Sequence, residues 1–300
     1  MPTMPGLSVL IPVYNRPVME LTNALLAQVL QWPGPVEIYL LDDSSEETCR
    51  RLNRPLGTLP GVRYQELPRN VGRSAVRNQL AAGARHAWLL LLDNTGQLPD
   101  GQFLARYAVA LGRAQVLVGG VCYAPGSPAD PALRLRWRYG QAREVRPAAQ
   151  RQAAPHSQLL INNLLISKKL LIWFPLDESL RGYGHEDTQL GWQLAAAAVP
   201  VLHLDNPVRH VGLETAATFL EKSEQAVHNL VQLLRENRVG SDARLVQAAR
   251  RLRRVGLAPA ARVALGAAAP ALRRHLLGPH PSLVALDVLK LLWLLRALAA

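Results

Sequence analysis

The first hundred residues alternate between short apolar runs and amphipathic stretches. Residues 7–13 are apolar and end in Pro12, Val13, Tyr14 and Asn15. A helical spacing follows over residues 17–30, with Leu21, Ala24, Leu25 and Val29 apolar, until Pro33-Gly34-Pro35 breaks it. Residues 36–41 form a second apolar run, closed by Asp42, Asp43, Ser44 and Ser45. Ser45 is expected to cap the next helix, which carries Thr48 and Leu52. A weaker strand over 62–67, a helix over 74–86 and an apolar run over 87–92, stopped by Asp93, complete the series. Strand and helix at this spacing predict parallel pairing through right-handed crossovers. The runs are apolar throughout rather than alternating, as strands covered on both faces require. The expected class is α/β, with a mostly parallel central sheet flanked by helices.

Beyond residue 110 the pattern is less regular. Residues 116–121 read as another strand and 124–131 as a Pro/Gly turn. Residues 134–152 are basic and polar, with Trp137 and Tyr139 interleaved, and read as a flexible loop. Residues 159–167 read as a strand carrying Asn162 and Asn163, and 200–204 as a short strand. Residues 213–238 have a long helical pattern. No internal repeat is present. The division this suggests is a main domain over 1–215 and a helical extension over 216–300.

In open parallel sheets ligands bind beyond the carboxyl ends of the strands. Tyr14 and Asn15, Asp42 and Asp43, and Asp93 all fall there. An aspartate after a strand is commonly a turn former, but three strand ends delivering polar groups to one edge point to a site. Two cysteines, Cys49 and Cys122, lie far apart with no Cys/His cluster; this argues against a disulfide framework or a zinc site and suits a reducing compartment. The N-terminal residues carry no basic region followed by a long apolar stretch and read as the first strand, so export is not expected.

The segment from Phe174 to Leu194 is the most specific in the chain. Gly182 and Gly184 permit a tight turn, and Glu186-Asp187 open a helix over 188–198. Acidic residues in a first helical turn are favoured by the helix dipole and need no function. The turn, however, is crowded by Tyr183 and Trp192, as in a wall around a sugar ring, and a carboxylate there suits a general base for an acceptor hydroxyl.

Taken together, Ser8 to Asn15, Leu41 to Ser45, Arg69 to Asn78, the strand ending at Asp93, and Gly182 to Asp187 resemble a family 2 glycosyltransferase of the GT-A fold, a Rossmann-like architecture. The resemblance spans about residues 6–215, and five motifs in the family's order carry it. The 174–192 stretch is similar to the acceptor-side motif of galactosyltransferase and N-acetylgalactosaminyltransferase enzymes. The resemblance implies that Pro12, Val13 and Tyr14 line a base and ribose pocket, and that Asp42 and Asp43 hold the uracil or ribose edge. Asn70, Gly72, Arg73 and Arg77 would lie beside the diphosphate. Asp187 would be the base of an inverting displacement, with Glu186 beside it and Gly182, Tyr183, Gly184 and Trp192 on the acceptor side. Asp93 and His210 would be ligands of a divalent cofactor, Mn²⁺ or Mg²⁺.

One departure bears on that cofactor. The family's Asp-x-Asp motif reads Asp93-Asn94-Thr95 here. Threonine is a poor ligand for a hard cation that prefers carboxylates. Three arrangements are open: Asp93, His210 and the diphosphate still hold a metal, Arg73 or Arg77 replaces part of its charge, or the protein binds sugar nucleotides without turning them over. The functions that follow are an inverting transfer from a nucleotide-diphospho-sugar, a UDP-sugar by expectation, to a glycan or lipid-linked hydroxyl in cell-surface glycan synthesis, or a non-catalytic sugar-nucleotide-binding or assembly subunit. A dinucleotide-dependent oxidoreductase is disfavoured, because no Gly-x-Gly-x-x-Gly follows the first strand.

The net charge is +12. Residues 241–300 hold ten Lys/Arg against Asp242 and Asp287, so +8 of it resides there. Such a tail suits an anionic surface; no nucleic-acid module is recognisable, and nucleic acid is not an expected partner. Over 241–254, Leu245, Ala248, Ala249 and Leu252 share one face, while Pro259 and Pro270 should keep helices over 255–277 short. Residues 282–300 are strongly apolar but carry Asp287, Lys290 and Arg296. They fit an interfacial helix anchored by Trp293, or a helix packed on the protein or in a dimer interface, better than a membrane span. The expected location is cytoplasmic, peripheral on the inner face of the plasma membrane.

Overall fold

A computed structural model describes residues 5–180, 182–236 and 244–299. In chain order the elements are β1 (Leu7–Val13), α1 (Met19–Leu26), β2 (Val36–Asp42), α2 (Glu47–Asn53), β3 (Val62–Glu66), α3 (Arg73–Gly83), β4 (Trp88–Leu92), β5 (Gly96–Gln97), α4 (Phe103–Ala110), β6 (Val116–Val118) and β7 (Val121–Cys122). Next come α5 (Arg134–Tyr139), α6 (Ala148–Gln152), β8 (Asn163–Ser167), α7 (Lys168–Trp173), α8 (Glu186–Ala196), β9 (Val201–His203) and β10 (Val208–His210). The chain continues through α9 (Ala216–Arg235), α10 (Arg244–Arg254), α11 (Ala258–Leu276) and α12 (Leu283–Ala297). The packing falls into two units. The first holds the described residues up to Tyr123, with Val145–Ser179 and Glu186–Val211; the second holds Ala124–Glu144 and the described parts of Leu180–His185 and Gly212–Ala300.

The first unit is built on a seven-stranded sheet in the order β3-β2-β1-β4-β8-β6-β9, with a three-stranded sheet β5-β10-β7 beside it. The pairs among β3, β2, β1 and β4 are parallel, and β8 runs antiparallel to both its neighbours. The sheet explains the continuous apolar runs. Val9, Ile11, Leu90 and Leu92 pack with α1 and α4 on one side, while Leu10, Leu89 and Leu91 pack with α3, α7 and α8 on the other. Strand order reverses at β1, whose neighbours are β2 and β4. That reversal opens the crevice where such sheets bind ligands.

Several expectations are corrected. Ser45 caps no helix: its Oγ accepts the Asn15 N–H at 2.8 Å, and α2 has no side-chain cap. Residues 116–121 form two strands in different sheets rather than one. Gly120, at φ +88, makes the break, and a Cβ there would stand 2.8 Å from Arg151 Nη2. Residues 134–152 are not a loop but α5, one π-helical turn (Gly140–Glu144) and α6. The strand expected over 159–167 starts only at Asn163, whose buried amide donates to the carbonyls of Gly120 and Asn206, each at 2.8 Å.

The second unit is helical, with a core of Phe219, Leu220, Val227 and Leu230 from α9 and Leu286, Leu289, Trp293 and Leu294 from α12. Tyr139 of α5 packs on Phe219 with centroids 5.1 Å apart. The helix over 255–277 is not broken by proline: α11 runs for 19 residues. Pro259 lies in its first turn, where no N–H is needed, and Pro270 is carried inside it. Residues 241–243 of the helix expected over 241–254, and 237–238 of the one expected over 213–238, lie outside the described residues. In α10 the buried side chains are Val246 and Ala249, while Ala248 is exposed. The apolar stretch of α12 is core: Leu286, Leu289, Leu292 and Leu294 have no exposure and Trp293 only 4%. Among the described residues no helix is long and apolar enough to cross a membrane.

Candidate functional site

The first turn beyond β1 and the turn beyond β2 interlock. Asn15 and Ser44 both adopt left-handed backbone, at φ 47 and 63, a conformation that the surroundings must enforce. Asn15 Oδ1 accepts the Glu46 N–H at 2.7 Å, and Asp42 Oδ1 accepts the Ser45 N–H at 2.7 Å. The other Asp42 oxygen accepts the Tyr64 hydroxyl at 3.2 Å. Asp42 has no exposed surface, so it builds the turn and presents nothing to a nucleotide. Asp43 also works on the backbone: it accepts from Val71 N at 2.7 Å and Gly72 N at 3.1 Å. Burial pushes its carboxyl above the ordinary range, against the pull of those two N–H groups. Asn70 closes the same loop by donating to Asp43 O at 3.0 Å. Gly72, at φ +91, starts α3 in a conformation suited to glycine.

Val13 is fully buried in the core under the sheet. Of the expected base pocket, Pro12 is half-buried and Tyr14 is 52% exposed at the strand end. Asn94 ties the β4 end to the β1 end, donating to Tyr14 O at 3.2 Å.

Asp93, Arg73, Arg77 and Glu186 form one array at this edge. Arg77, almost fully buried, donates to Asp93 Oδ1, and is braced by its bond to Arg73 O at 2.9 Å. Arg73 donates through Nε to Glu186 Oε1 at 2.8 Å, and its Nη2 stands 3.9 Å from Asp93 Oδ2. Burial alone would raise both carboxyls, but the Arg77 and Arg73 charges outweigh it and hold Asp93 low; Arg73 does the same for Glu186. Asp187 goes the other way. Burial, then the neighbouring Glu186 charge, pushes it up to about 7. Asp187 Oδ1 accepts the Ile161 N–H at 3.3 Å, and Asp93 N donates to the adjacent Asn162 O at 3.4 Å. The two acids thus hang from neighbouring residues of one segment. A half-buried carboxyl poised near neutrality, beside acids held ionised, is the pattern of a proton acceptor.

Gly191 sets the depth of α8. A Cβ on it would run into the His156 carbonyl oxygen, so only glycine lets the helix seat Asp187 this closely. An isolated glycine inside a helical pattern was the signal in the sequence. Trp192 does not share the Asp187 face: five residues on, it lies about 140° around the helix and is 45% exposed. Gly182, Tyr183 and Gly184 belong to the second unit, where their turn packs on α9. A Cβ on Gly182 or Gly184 would meet Gln225 Oε1 at 2.6 Å or Ala226 Cβ at 2.7 Å. Asn229 of α9 donates to Gly184 O at 3.1 Å, and Lys222 Nζ stands 5.3 Å from the Tyr183 ring centre. Close approach of backbone to α9 accounts for both glycines.

The expected metal site does not fit a metal. Thr95 Oγ1 lies 3.3 Å from His210 Nδ1, so the position of the second motif acid is a neutral hydroxyl paired with the histidine. Asp93 is engaged by two guanidiniums. Among the described residues no three His, Cys, Asp or Glu side chains form a group able to hold a metal ion. A divalent cation calls for a surplus of carboxylate oxygen that this donor set lacks.

The family model described as glycosyl transferase family 2 matches residues 8–160. A validoxylamine A glucosyltransferase of Streptomyces hygroscopicus subsp. limoneus is 28% identical over 227 residues, 66% of this chain and 49% of that protein. The chain therefore spans about half the length of the curated relative it matches. Among solved structures, S. aureus TarS superposes with a TM-score of 0.52 at 17% identity, over 75% of this chain and 65% of that one. A mannosyltransferase of Pyrobaculum calidifontis, solved with GDP-Man and Mn²⁺, superposes with a TM-score of 0.56 at 15% identity, over 99% of this chain and 87% of that one. The shared architecture is the GT-A fold.

Proposed function

Because the chain belongs to glycosyl transferase family 2, we propose that it transfers a sugar, with inversion, from a nucleotide-diphospho-sugar to a hydroxyl acceptor. The observation that carries this reading is Asp187 at the head of α8, raised to about 7, beside the array of Asp93, Arg77, Arg73 and Glu186 at the strand-order reversal. Asp187 accepts the acceptor proton, and Arg73, the more exposed of the two arginines, meets the departing diphosphate. Tyr14, exposed beyond β1, offers a ring for a base to stack on. A uridine donor is favoured by the TarS structures, which include complexes with UDP and UDP-GlcNAc. The product we propose is a cell-surface glycan. Transfer is assayed with a panel of UDP- and GDP-sugars; Asp187→Asn should abolish it while sparing donor binding. Near-normal turnover in that variant removes Asp187 as the base.

The same reading sets the protein in the cytoplasm, on an anionic membrane face that presents a lipid-linked acceptor. With α12 buried, the surface for this is the turn between α10 and α11. Arg250, Arg251, Arg253 and Arg254 are exposed there, next to Val255 at 56% and Leu257 at 53% exposure. Basic residues around exposed apolar side chains match the chemistry of an anionic lipid interface.

A further inference from the structure

A divalent cation in a sugar-nucleotide site neutralises the diphosphate as it leaves. The edge of β4 has two guanidiniums in that place. Arg77 is locked on Asp93 and Arg73 bridges Glu186 and Asp93. Both Asp93 oxygens thus face guanidinium nitrogens, so the carboxylate a cation would need is already engaged. Thr95 and His210 face each other at 3.3 Å instead of presenting carboxylate oxygen. Arg73 sits at the first position of α3 with 38% of its side chain exposed. Its Nη2 stands 3.9 Å from Asp93 Oδ2, an ion-pair distance beyond the reach of a hydrogen bond to that oxygen. A guanidinium so placed can turn its planar edge to phosphate oxygens, which it matches better than a lysine would.

We propose that Arg73 and Arg77 take the place of the divalent cation, so that this chain binds and releases its nucleoside diphosphate without metal. The proposal rests on the sugar-transfer reading above. In the step it serves, the acceptor hydroxyl gives its proton to Asp187 and its oxygen forms the new bond to the anomeric carbon. The bond from that carbon to the β-phosphate oxygen breaks, and its electron pair stays on the phosphate. The negative charge gained there is met by the Arg73 guanidinium, with the Arg77 charge behind it. Arg77 stays on Asp93 and keeps the array in place, while Arg73 meets the phosphate.

The test is calorimetric binding of UDP and of GDP to the full chain, in EDTA and in Mn²⁺. The tighter of the two should bind in EDTA within about threefold of its affinity in Mn²⁺. Arg73→Ala should weaken that binding by about 10–100-fold in EDTA, the usual loss for a charge-assisted bond, and Arg73→Lys should recover part of it. Thermal unfolding of each variant separates lost binding from lost fold. Binding that disappears in EDTA and returns with Mn²⁺ overturns the proposal alone. Arg73→Ala binding like the parent in EDTA overturns it as well. Binding of neither nucleotide in either buffer overturns the sugar-transfer reading together with this one.

Discussion

Arg73 Nε donates to Glu186 Oε1 at 2.8 Å across 113 residues of chain. The bond joins the first residue of α3 to the first residue of α8, and so ties the start of α3 to the helix that carries Asp187. Glu186 is thereby a positioning residue, and its charge is also what helps hold the Asp187 proton.

That coupling makes Asp187 readable by pH. Its carboxyl rises from the ordinary 3.8 to about 7, so as a base it works only when deprotonated, and kcat/KM should climb with pH and level off near that value. Glu186→Gln removes the neighbouring charge and should move the limb to lower pH. Asp187→Asn should lower kcat by about 100–10,000-fold. A pH–rate profile of the parent and both variants checks all three expectations.

Asp187 also makes a stability prediction. The folded chain holds this proton more tightly than the unfolded one, so the stability it contributes is complete below about pH 4 and is lost as pH rises through about 7. Asp187→Asn, which cannot ionise, should therefore melt above the parent at pH about 8 and lose that advantage at pH about 4. Denaturant titrations at the two pH values measure the difference.

Asp93 has the opposite sign. Its carboxyl is held low by Arg77 and Arg73 against burial, so its contribution is present above its unfolded pKa and fades as pH falls through the lower folded value. Asp93→Asn leaves the Arg77 guanidinium buried without its anion and should cost about 3 kcal/mol at neutral pH. The gap between variant and parent should narrow in acid, as urea unfolding at neutral and acid pH would record.

Gly191→Ala tests how α8 is seated. The new methyl meets the His156 carbonyl, and overpacking of this kind costs about 1–3 kcal/mol. Because Asp187 lies one turn earlier on the same helix, turnover should fall more than donor binding. Equal stability and turnover would show that the helix shifts freely.

Arg250→Glu combined with Arg254→Glu tests the membrane surface. Both side chains are exposed on α10, and each basic residue near an anionic bilayer contributes about 1 kcal/mol. Sedimentation with phosphatidylserine vesicles should drop by at least about tenfold, and neutral vesicles should retain neither form. Unchanged binding to anionic vesicles would remove this surface from the proposal.

The alternation of apolar runs with helical stretches was enough to specify the parallel core, because a strand covered on both faces is apolar nearly throughout, and β1, β2 and β4 are, apart from the paired Ser8 and Glu37 and the closing Asp42. The strand-end acids were likewise visible one by one. Their roles were not. Asp42 and Asp93 both follow an apolar run, yet one is consumed by Ser45 N and the Tyr64 hydroxyl, and the other by Arg77 and Arg73. Which partner a carboxylate meets depends on residues of other elements, 22 positions away for Asp42 and Tyr64 and 113 for Glu186 and Arg73, and local pattern holds no record of them. The same reason hid the order in residues 134–152: Arg151 looks like a solvated surface charge until the carbonyls of Val118, Gly119 and Leu204 converge on it. It also hid the fate of the last helix, whose apolar length suits a lipid interface as well as a core, until α9 and α12 are seen to share one cluster. The sequence by itself determined the parallel part of the sheet, the α/β class and the substitution at Thr95. Only the tertiary structure decided that Thr95 faces His210, that two arginines stand over the Asp93 and Glu186 carboxylates, and that Asp187 lies half-buried beside Glu186, because charge pairing and desolvation arise only when distant segments are brought together.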